Sequence, residues 1–155
     1  MKKLAVVFLM SLFASSAFAG PKGGDSSLGV FAFAFFNDAA DIVFVGTDYG
    51  YFFSDNFKVN AQVNGSFGDA EQYTIAVGAD YYLNSGGDIL PYFGGTIGQT
   101  EADGFSESTY DLHVGFEQFL DERTSVDYRA SYQDFIDDVG VDGSFIIQLG
   151  FKRYF

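Results

Sequence analysis

The chain has 155 residues and a formal net charge of −13, with 8 Lys+Arg against 21 Asp+Glu, and it contains no Cys and no Trp. The length allows one domain, and the absence of Cys excludes disulfide frameworks, thiolate metal sites and cysteine nucleophiles. The acidic balance argues against a nucleic-acid partner, because phosphate binding needs a basic face. The excess of Phe, Tyr and Gly predicts many strands whose outer surface does not face water.

Residues 1–19 have the pattern of a cleaved secretory signal. Lys2 and Lys3 give a positive start, residues 4–13 are apolar, and the sequence Ala-Phe-Ala ends at residue 19 as a cleavage site. The apolar run is too short to span a bilayer as a helix, which takes roughly 20 residues. We therefore expect residues 1–19 to be removed on export, leaving residues 20–155 as the folded domain in the periplasm or the outer membrane.

After the signal, apolar and polar residues alternate with a period of two, which is the period of a strand. In residues 57–67, for example, Phe57, Val59 and Val63 alternate with Lys58 and other polar side chains. The pattern predicts eight strands at residues 28–36, 42–53, 57–67, 73–83, 89–99, 110–117, 124–133 and 144–151.

The first predicted strand, residues 28–36, alternates less regularly than most of the others. We assign its large residues Phe31, Phe33 and Phe35 to the apolar row and its small residues Ala32 and Ala34 to the opposite face. If the strands form a membrane barrel, this assignment places the three phenylalanines on the outside.

Amphipathic strands can build a soluble sandwich or lipocalin-like barrel with the apolar row inside, or an outer-membrane barrel with that row facing lipid. The polar row is rich in Gly, Ser, Ala, Asn and Thr, which suits a crowded interior. The apolar rows also end in aromatic residues, as the girdles of membrane barrels do. These are Phe35, Phe67, Tyr73, Tyr110, Tyr132 and Phe145 towards one rim, and Phe53, Phe57, Tyr81 and Phe155 towards the other. We predict an all-β, eight-stranded antiparallel up-and-down transmembrane β-barrel.

The connections differ at the two ends of this barrel. With both termini in the periplasm, the turns at residues 54–56, 84–88 and 120–123 are short, as is typical of the periplasmic side. The opposite loops, 37–41, 68–72, 100–107 and 134–143, contain acidic residues and no Lys or Arg: Asp38, Asp41, Asp69, Glu71, Glu101, Asp103, Glu107, Asp134, Asp137, Asp138 and Asp142. Carboxylates attract Ca²⁺ or Mg²⁺, but the spacing of an EF-hand is absent. We therefore expect a solvated acidic rim and no metal site.

Three segments resemble a known family. LPYFGGTIG (residues 90–98), GFEQFLDERTSV (115–126) and the terminal GFKRYF (150–155) are similar to the outer-membrane β-barrel family of the OmpA transmembrane domain, OmpX and the opacity proteins. The resemblance covers residues 20–155, although Arg153 stands in the outward row where the family usually has an aromatic.

The resemblance implies a structural or adhesin-like surface role in the outer membrane, without enzymatic activity or a cofactor. It implies that Phe151 and Phe155 form the C-terminal assembly signal. The expected partners are outer-membrane lipids and lipopolysaccharide, the barrel-assembly machinery, periplasmic chaperones in transit, and a host or cell-surface ligand that the sequence does not name.

Inward positions of the predicted strands carry charge: Asp48, Lys58, Asp80, Asp111, His113, Glu117, Asp127, Arg129 and Lys152. Buried charges must pair, and we expect Lys58 diagonal to Asp80, and Arg129 near Glu117, Asp127 and Asp111. We interpret the network as a structural plug, because the lumen of eight strands is just wide enough for side chains. The alternative is a narrow path for ions or small solutes.

His113, Asp111 and Ser131 suggest a third, less favoured interpretation. They contain the groups of a hydrolytic triad, as a lipid-modifying outer-membrane enzyme would need. No nucleophile motif such as G-x-S-x-G surrounds Ser131, and the site would lie in mid-barrel, away from lipid substrates. We therefore expect no catalytic residue, and we interpret His113 as part of the polar interior.

Overall fold

The computed structural model describes residues 20–36, 41–68, 71–83, 87–102, 105–136 and 143–155. The predicted signal, residues 1–19, lies outside these ranges. Within them the strands are β1 (Ser26–Phe36), β2 (Asp41–Ser54), β3 (Phe57–Gly68), β4 (Gln72–Tyr82), β5 (Ile89–Ala102), β6 (Phe105–Asp121), β7 (Thr124–Phe135) and β8 (Ser144–Tyr154). No helix among the described residues is long and apolar enough to cross a membrane.

Each strand pairs antiparallel with the next, and β8 pairs back with β1 to close a barrel, as predicted. The backbone N–H of Phe155 donates to the carbonyl of Ser26 at 2.9 Å, so the two ends of the folded domain meet. We call this the terminal end of the barrel and the opposite side the loop end. The β1–β8 seam is the shortest ladder: it joins residues 27–32 to residues 149–154, whereas β1 pairs with β2 along its whole length.

The hairpin of β5 and β6 extends further than the sequence pattern predicts. The two strands pair as far as Ala102 with Phe105, so most of the predicted loop at residues 100–107 is strand. Ser, Thr, Gln and Glu occupy both faces of this hairpin near its tip. Polar residues on both faces give no hydrophobic period, and the pattern therefore ends before the strands do.

Most outward rows are where the alternation places them. Val77, Ile97, Leu112 and Val114 are exposed on the outer surface. Of the predicted rim aromatics, those exposed are Phe67, Tyr73 and Phe145 at the loop end, and Phe53, Phe57, Tyr81 and Phe155 at the terminal end. The barrel is thus covered by apolar and aromatic side chains on the outside.

The assignment of the faces of β1 is wrong. Phe31 is 5% exposed and Phe33 lines an interior cavity, whereas Ala32 is exposed; the side chains of Ala34 and Phe35 lie outside the described set. Val30 pairs with Phe151, and this register continues the outward row of β8 along Val30 and Ala32.

The inward position of Phe31 depends on a glycine in the neighbouring strand. Gly46 is the register partner of Phe31, and a Cβ at Gly46 would collide with the Phe31 ring. The missing side chain therefore provides the space that the ring occupies inside the barrel.

Candidate functional site in the barrel interior

The terminal end of the lumen is filled by aromatic side chains. The aromatic cluster consists of Phe52, Tyr82, Leu90, Tyr92, Phe119 and Tyr154, all buried. Its rings pack at centroid distances of 5.1 Å for Tyr82–Tyr92 and 5.3 Å for Phe119–Tyr154. Sequence reasoning did not single out this cluster, although Tyr82, Tyr92 and Tyr154 occupy inward positions near strand ends, which was the available signal.

On the loop-end side of the aromatic cluster, Lys152 neutralises two carboxylates. Its Nζ lies 2.8 Å from Glu117 Oε1 and 3.1 Å from Asp127 Oδ2, and all three side chains are almost fully buried. Glu117 also accepts hydrogen bonds from the hydroxyls of Tyr82 (2.6 Å), Ser125 (2.8 Å) and Tyr154. The aromatic cluster therefore supplies hydroxyl donors to this group of charges.

Arg129 is less central than expected. Its Nη2 lies 3.7 Å from Asp127 Oδ2, and its Nε donates to the hydroxyl of Tyr92 at 3.1 Å. The β6–β7 register places Arg129 opposite Gly115 and places Glu117 opposite Asp127. Glu117 therefore pairs with Lys152, and Asp111 pairs with His113, instead of with Arg129.

A second group of charges runs across β3, β4 and β6. Lys58 Nζ lies 2.9 Å from Asp80 Oδ2, and the two residues are direct register partners, not diagonal ones. Asp80 Oδ1 lies 2.7 Å from His113 Nε2, and Asp111 Oδ1 lies 2.5 Å from His113 Nδ1. Asn60 adds a hydrogen bond to Asp80 at 3.1 Å.

The contacts of His113 bear on the hydrolase interpretation. Both ring nitrogens face carboxylates, one from Asp80 and one from Asp111. Ser131 is the register partner of His113, but no ring nitrogen is left to take a proton from its hydroxyl. The nucleophile–base contact of a triad is not assembled here.

Asp48 is the predicted network residue that forms no ion pair with another described residue. It is 5% exposed, and its Oδ2 has no hydrogen-bond partner within the described ranges. Its register partner is Gly29, and a Cβ at Gly29 would collide with the Asp48 carboxylate and lie 3.0 Å from Lys152 Cγ. The glycine thus admits both side chains, and Lys152 supplies the nearby positive charge.

The loop-end half of the lumen contains cavities lined by polar and apolar side chains. A cavity of about 210 Å³, the outer cavity, is lined by residues of all eight strands: Phe33, Phe44, Asn64, Gln72, Thr74, Thr100, Thr109, Gln133, Asp134, Phe135, Ser144 and Ile146. A smaller space of about 30 Å³ continues below it to Asp111 and Arg129. Among the described residues, the loop-end half of the lumen therefore contains empty space, whereas the terminal end is filled.

The predicted acidic rim lies at the loop end of the barrel. At the loop end the hydroxyl of Tyr132 donates to Asp134 at 2.9 Å. Of the predicted acidic rim, Asp38, Asp69, Asp103, Asp137, Asp138 and Asp142 lie outside the described residues. Within the described ranges, no group of three His, Asp or Glu is arranged to hold a metal ion.

At the terminal end, Arg153 faces outward as predicted. Its Nη1 donates to Thr124 Oγ1 at 2.6 Å and lies 3.7 Å from Asp121 Oδ1. Asp121 also accepts a hydrogen bond from the backbone N–H of Arg123 in the turn, which lowers the pKa of its carboxyl. Arg153 is thus held at the rim by polar neighbours.

An apolar outer surface, a charged interior and eight closed antiparallel strands give this chain the fold of the small β-barrels of bacterial outer membranes. The N-terminal β-barrel domain of Pseudomonas aeruginosa OprF aligns with a TM-score of 0.71 at 14% identity, covering 86% of this chain and 98% of that one. Neisserial surface protein A aligns with a TM-score of 0.68 at 14% identity, covering 92% and 100%. The outer membrane protein Ail of Yersinia pestis, in a phospholipid bilayer nanodisc, aligns at 0.59 with 15% identity, covering 85% and 99%. No protein-family model and no curated protein sequence matches the chain.

Proposed function

We propose that the chain is an integral outer-membrane protein with a structural or surface-interaction role, and that the half of its lumen nearest the terminal end is sealed. The observation that carries the proposal is the reversal of polarity across the barrel wall. Lys58, Asp80 and Glu117 are 0–1% exposed inside the barrel, whereas Ile97 and Leu112 are each 61% exposed outside. Apolar surface on this scale favours lipid over water, while the buried charges require internal partners.

The proposed seal consists of the aromatic cluster and the ion pairs above it. Lys152 contacts both Glu117 and Asp127, and these carboxylates accept hydrogen bonds from Tyr82 and Tyr92, so the side chains occupy the lumen at that level. The space of about 30 Å³ above these groups corresponds to roughly one water molecule. These contacts support the interpretation of the lumen as structurally plugged and argue against an open pore.

A surface role is supported by the identities of proteins with the same fold. One is named a surface protein and another is named the attachment invasion locus protein. In this chain the connections at the loop end contain acidic residues and no Lys or Arg in sequence. A host or cell-surface ligand is therefore proposed to contact the loop end, while outer-membrane lipids and lipopolysaccharide contact the apolar outer rows.

The proposal also includes a C-terminal assembly signal and the absence of enzymatic activity. Phe151 on β8 and Phe155 just after it are both exposed near the terminal end, where the barrel-assembly machinery and chaperones would read them. The proposed role is non-enzymatic, because His113 has both nitrogens engaged by carboxylates. Mass spectrometry of lipid A from cells producing the wild type or His113→Ala tests this point, and an unchanged lipid pattern is expected.

A narrow ion path is the second candidate, and one observation favours it. The small space at Asp111 and Arg129 extends the outer cavity down to the charged layer, so that a rearrangement of the ion pairs would connect the two ends.

Planar-bilayer recording distinguishes the two functions. A sealed barrel inserted from a preparation that shows heat-modifiable mobility on gels gives no steady conductance. Steady cation-selective conductance from the wild type would instead establish the channel. Membrane fractionation of the producing cells tests the location independently, and recovery of the protein in the soluble periplasmic fraction would refute it.

A further inference from the structure

The outer cavity differs from the rest of the lumen in its hydrogen bonding. In the charged layer below, carboxylates and ammonium groups contact one another at 2.8–3.1 Å. In the outer cavity, within the described part of the chain, the side chains of Asn64, Thr109 and Gln133 take part in no hydrogen bond. These are two amides and a hydroxyl, and each can both donate and accept.

These polar groups do not belong to the exposed surface of the barrel. Thr109 is 4% exposed, and Asn64 and Gln133 are half-buried. Thr74 and Thr100, on the adjacent strands β4 and β5, are also buried and bond to each other through their hydroxyls at 2.9 Å. The hydrogen-bonding groups of Asn64, Thr109 and Gln133 therefore line the outer cavity, where water or a ligand can satisfy them.

The wall of the outer cavity has an apolar side as well. Phe33 and Phe44 are stacked with their centroids 4.5 Å apart, and Ile146 lies on β8 next to them around the barrel. A cavity with amides and hydroxyls on one side and hydrocarbon on the other matches a ligand that has both hydroxyl groups and C–H faces. Sugars have this combination.

The volume of the outer cavity and the charge of its lining restrict the class of ligand further. The volume of about 210 Å³ is below the range of roughly 300–1,000 Å³ that holds drug-sized molecules, so one sugar ring fits and a disaccharide does not. The described lining contains the carboxylate of Asp134 and no Lys or Arg, which disfavours an anionic ligand.

We propose that the outer cavity is a binding site for a single neutral sugar ring, entered from the loop end. Asn64, Thr109 and Gln133 supply its hydrogen bonds, and Phe33 with Ile146 contacts its apolar face. The ring is either a free monosaccharide or the terminal unit of a glycan chain, since both present the same chemistry. The site is independent of whether the lower lumen conducts.

The probes are D-glucose, D-galactose, D-glucuronate and maltotriose, titrated against the full refolded barrel in detergent by saturation-transfer NMR. We expect saturable binding of at least one neutral hexose and at least tenfold weaker binding of D-glucuronate. Binding of maltotriose comparable with that of D-glucose identifies a chain terminus as a source, whereas exclusion of maltotriose restricts the site to free monosaccharides.

Two variants localise the binding. Gln133→Leu and Asn64→Leu each replace an amide side chain by an apolar one of similar size. Each should weaken hexose binding about 3- to 10-fold, which is the effect of losing one hydrogen bond. Gln99→Leu is the control, because Gln99 lies near the same end of the barrel but is exposed on the outer face, where it bonds only to Ser106 and Ser108 among the described residues. Heat-modifiable mobility on gels confirms that each variant is folded.

The proposal is overturned by three results: no saturable binding of either neutral hexose, binding of D-glucuronate as strong as that of the hexoses, or equal losses in Gln99→Leu and Gln133→Leu. In the first case the outer cavity holds only water, roughly seven molecules at about 30 Å³ each.

Discussion

Lys152 should contribute more to barrel stability than Arg129, although Arg129 has the larger cationic group. Lys152 contacts Glu117 at 2.8 Å and Asp127 at 3.1 Å, with all three side chains 0–2% exposed. Replacing it by Met keeps the aliphatic stem and removes the charge, which leaves two buried carboxylates without their ammonium partner. Loss of one partner from a buried ion pair costs about 3–5 kcal/mol.

The remaining contacts decide where in that range the loss falls. Glu117 keeps its hydroxyl donors and Asp127 keeps Tyr92, so we expect about 3 kcal/mol for Lys152→Met. Arg129→Met removes a 3.7 Å contact and one hydrogen bond, and we expect about 1–2 kcal/mol. Urea unfolding in phospholipid vesicles, followed by gel mobility of unboiled samples, measures both values. A larger loss for Arg129→Met than for Lys152→Met would refute this ordering, and so would full stability of Lys152→Met.

Three other predictions test the faces, the interior and the assembly signal. Val77→Arg places a charge in the outward row and should cost about 2–4 kcal/mol in lipid. Thr74→Ser, at an inward position of the same strand, keeps its hydroxyl and should be mild. The opposite order in urea unfolding would mean that the faces are reversed. Phe31→Ala should cost about 3 kcal/mol because it empties space inside the barrel, whereas Ala32→Phe on the outer face should be tolerated, and equal losses in the same assay would contradict the inward position of Phe31. Deletion of Phe155 should lower the yield in the outer-membrane fraction, and a wild-type yield after deletion would show that the terminal Phe is not required.

The strand pattern was predictable from sequence because side chains alternate wherever a barrel wall separates two environments. The alternation located all eight strands and most outward rows, such as those of Val77 and Leu112. It failed for Phe31 and Phe33, because β1 is apolar on both faces and alternation alone then gives no direction. The register with β8 and the space at Gly46 decide the orientation of β1, and neither is visible in a local pattern.

The ion pairs were predictable only where they join neighbouring strands. Lys58 and Asp80 face each other in the β3–β4 hairpin, and the sequence predicted them as diagonal partners on these two strands, where the structure makes them direct partners. Lys152 and Glu117 lie on β8 and β6, with β7 between them, and they meet across the lumen. Such contacts depend on closure of the barrel, and hairpin register cannot supply them. The outer cavity escaped prediction for the same reason, since its lining comes from every strand.

The short ladder between β1 and β8 has a kinetic consequence. These strands are joined by residues 27–32 and 149–154, together with the hydrogen bonds between Ser26 and Phe155, all near the terminal end, so the barrel is closed least completely along this line. Phe145 and Ile147, on the part of β8 beyond that ladder, are 82% and 83% exposed, the highest values among the large apolar side chains that the structure describes. Those backbone amides of residues 144–148 that point towards β1, and not towards their ladder partners in β7, should therefore exchange with deuterium before the amides of β5 and β6. Mechanical force or denaturant should first separate β1 from β8, and the separation should start at the loop end and proceed towards the terminal end.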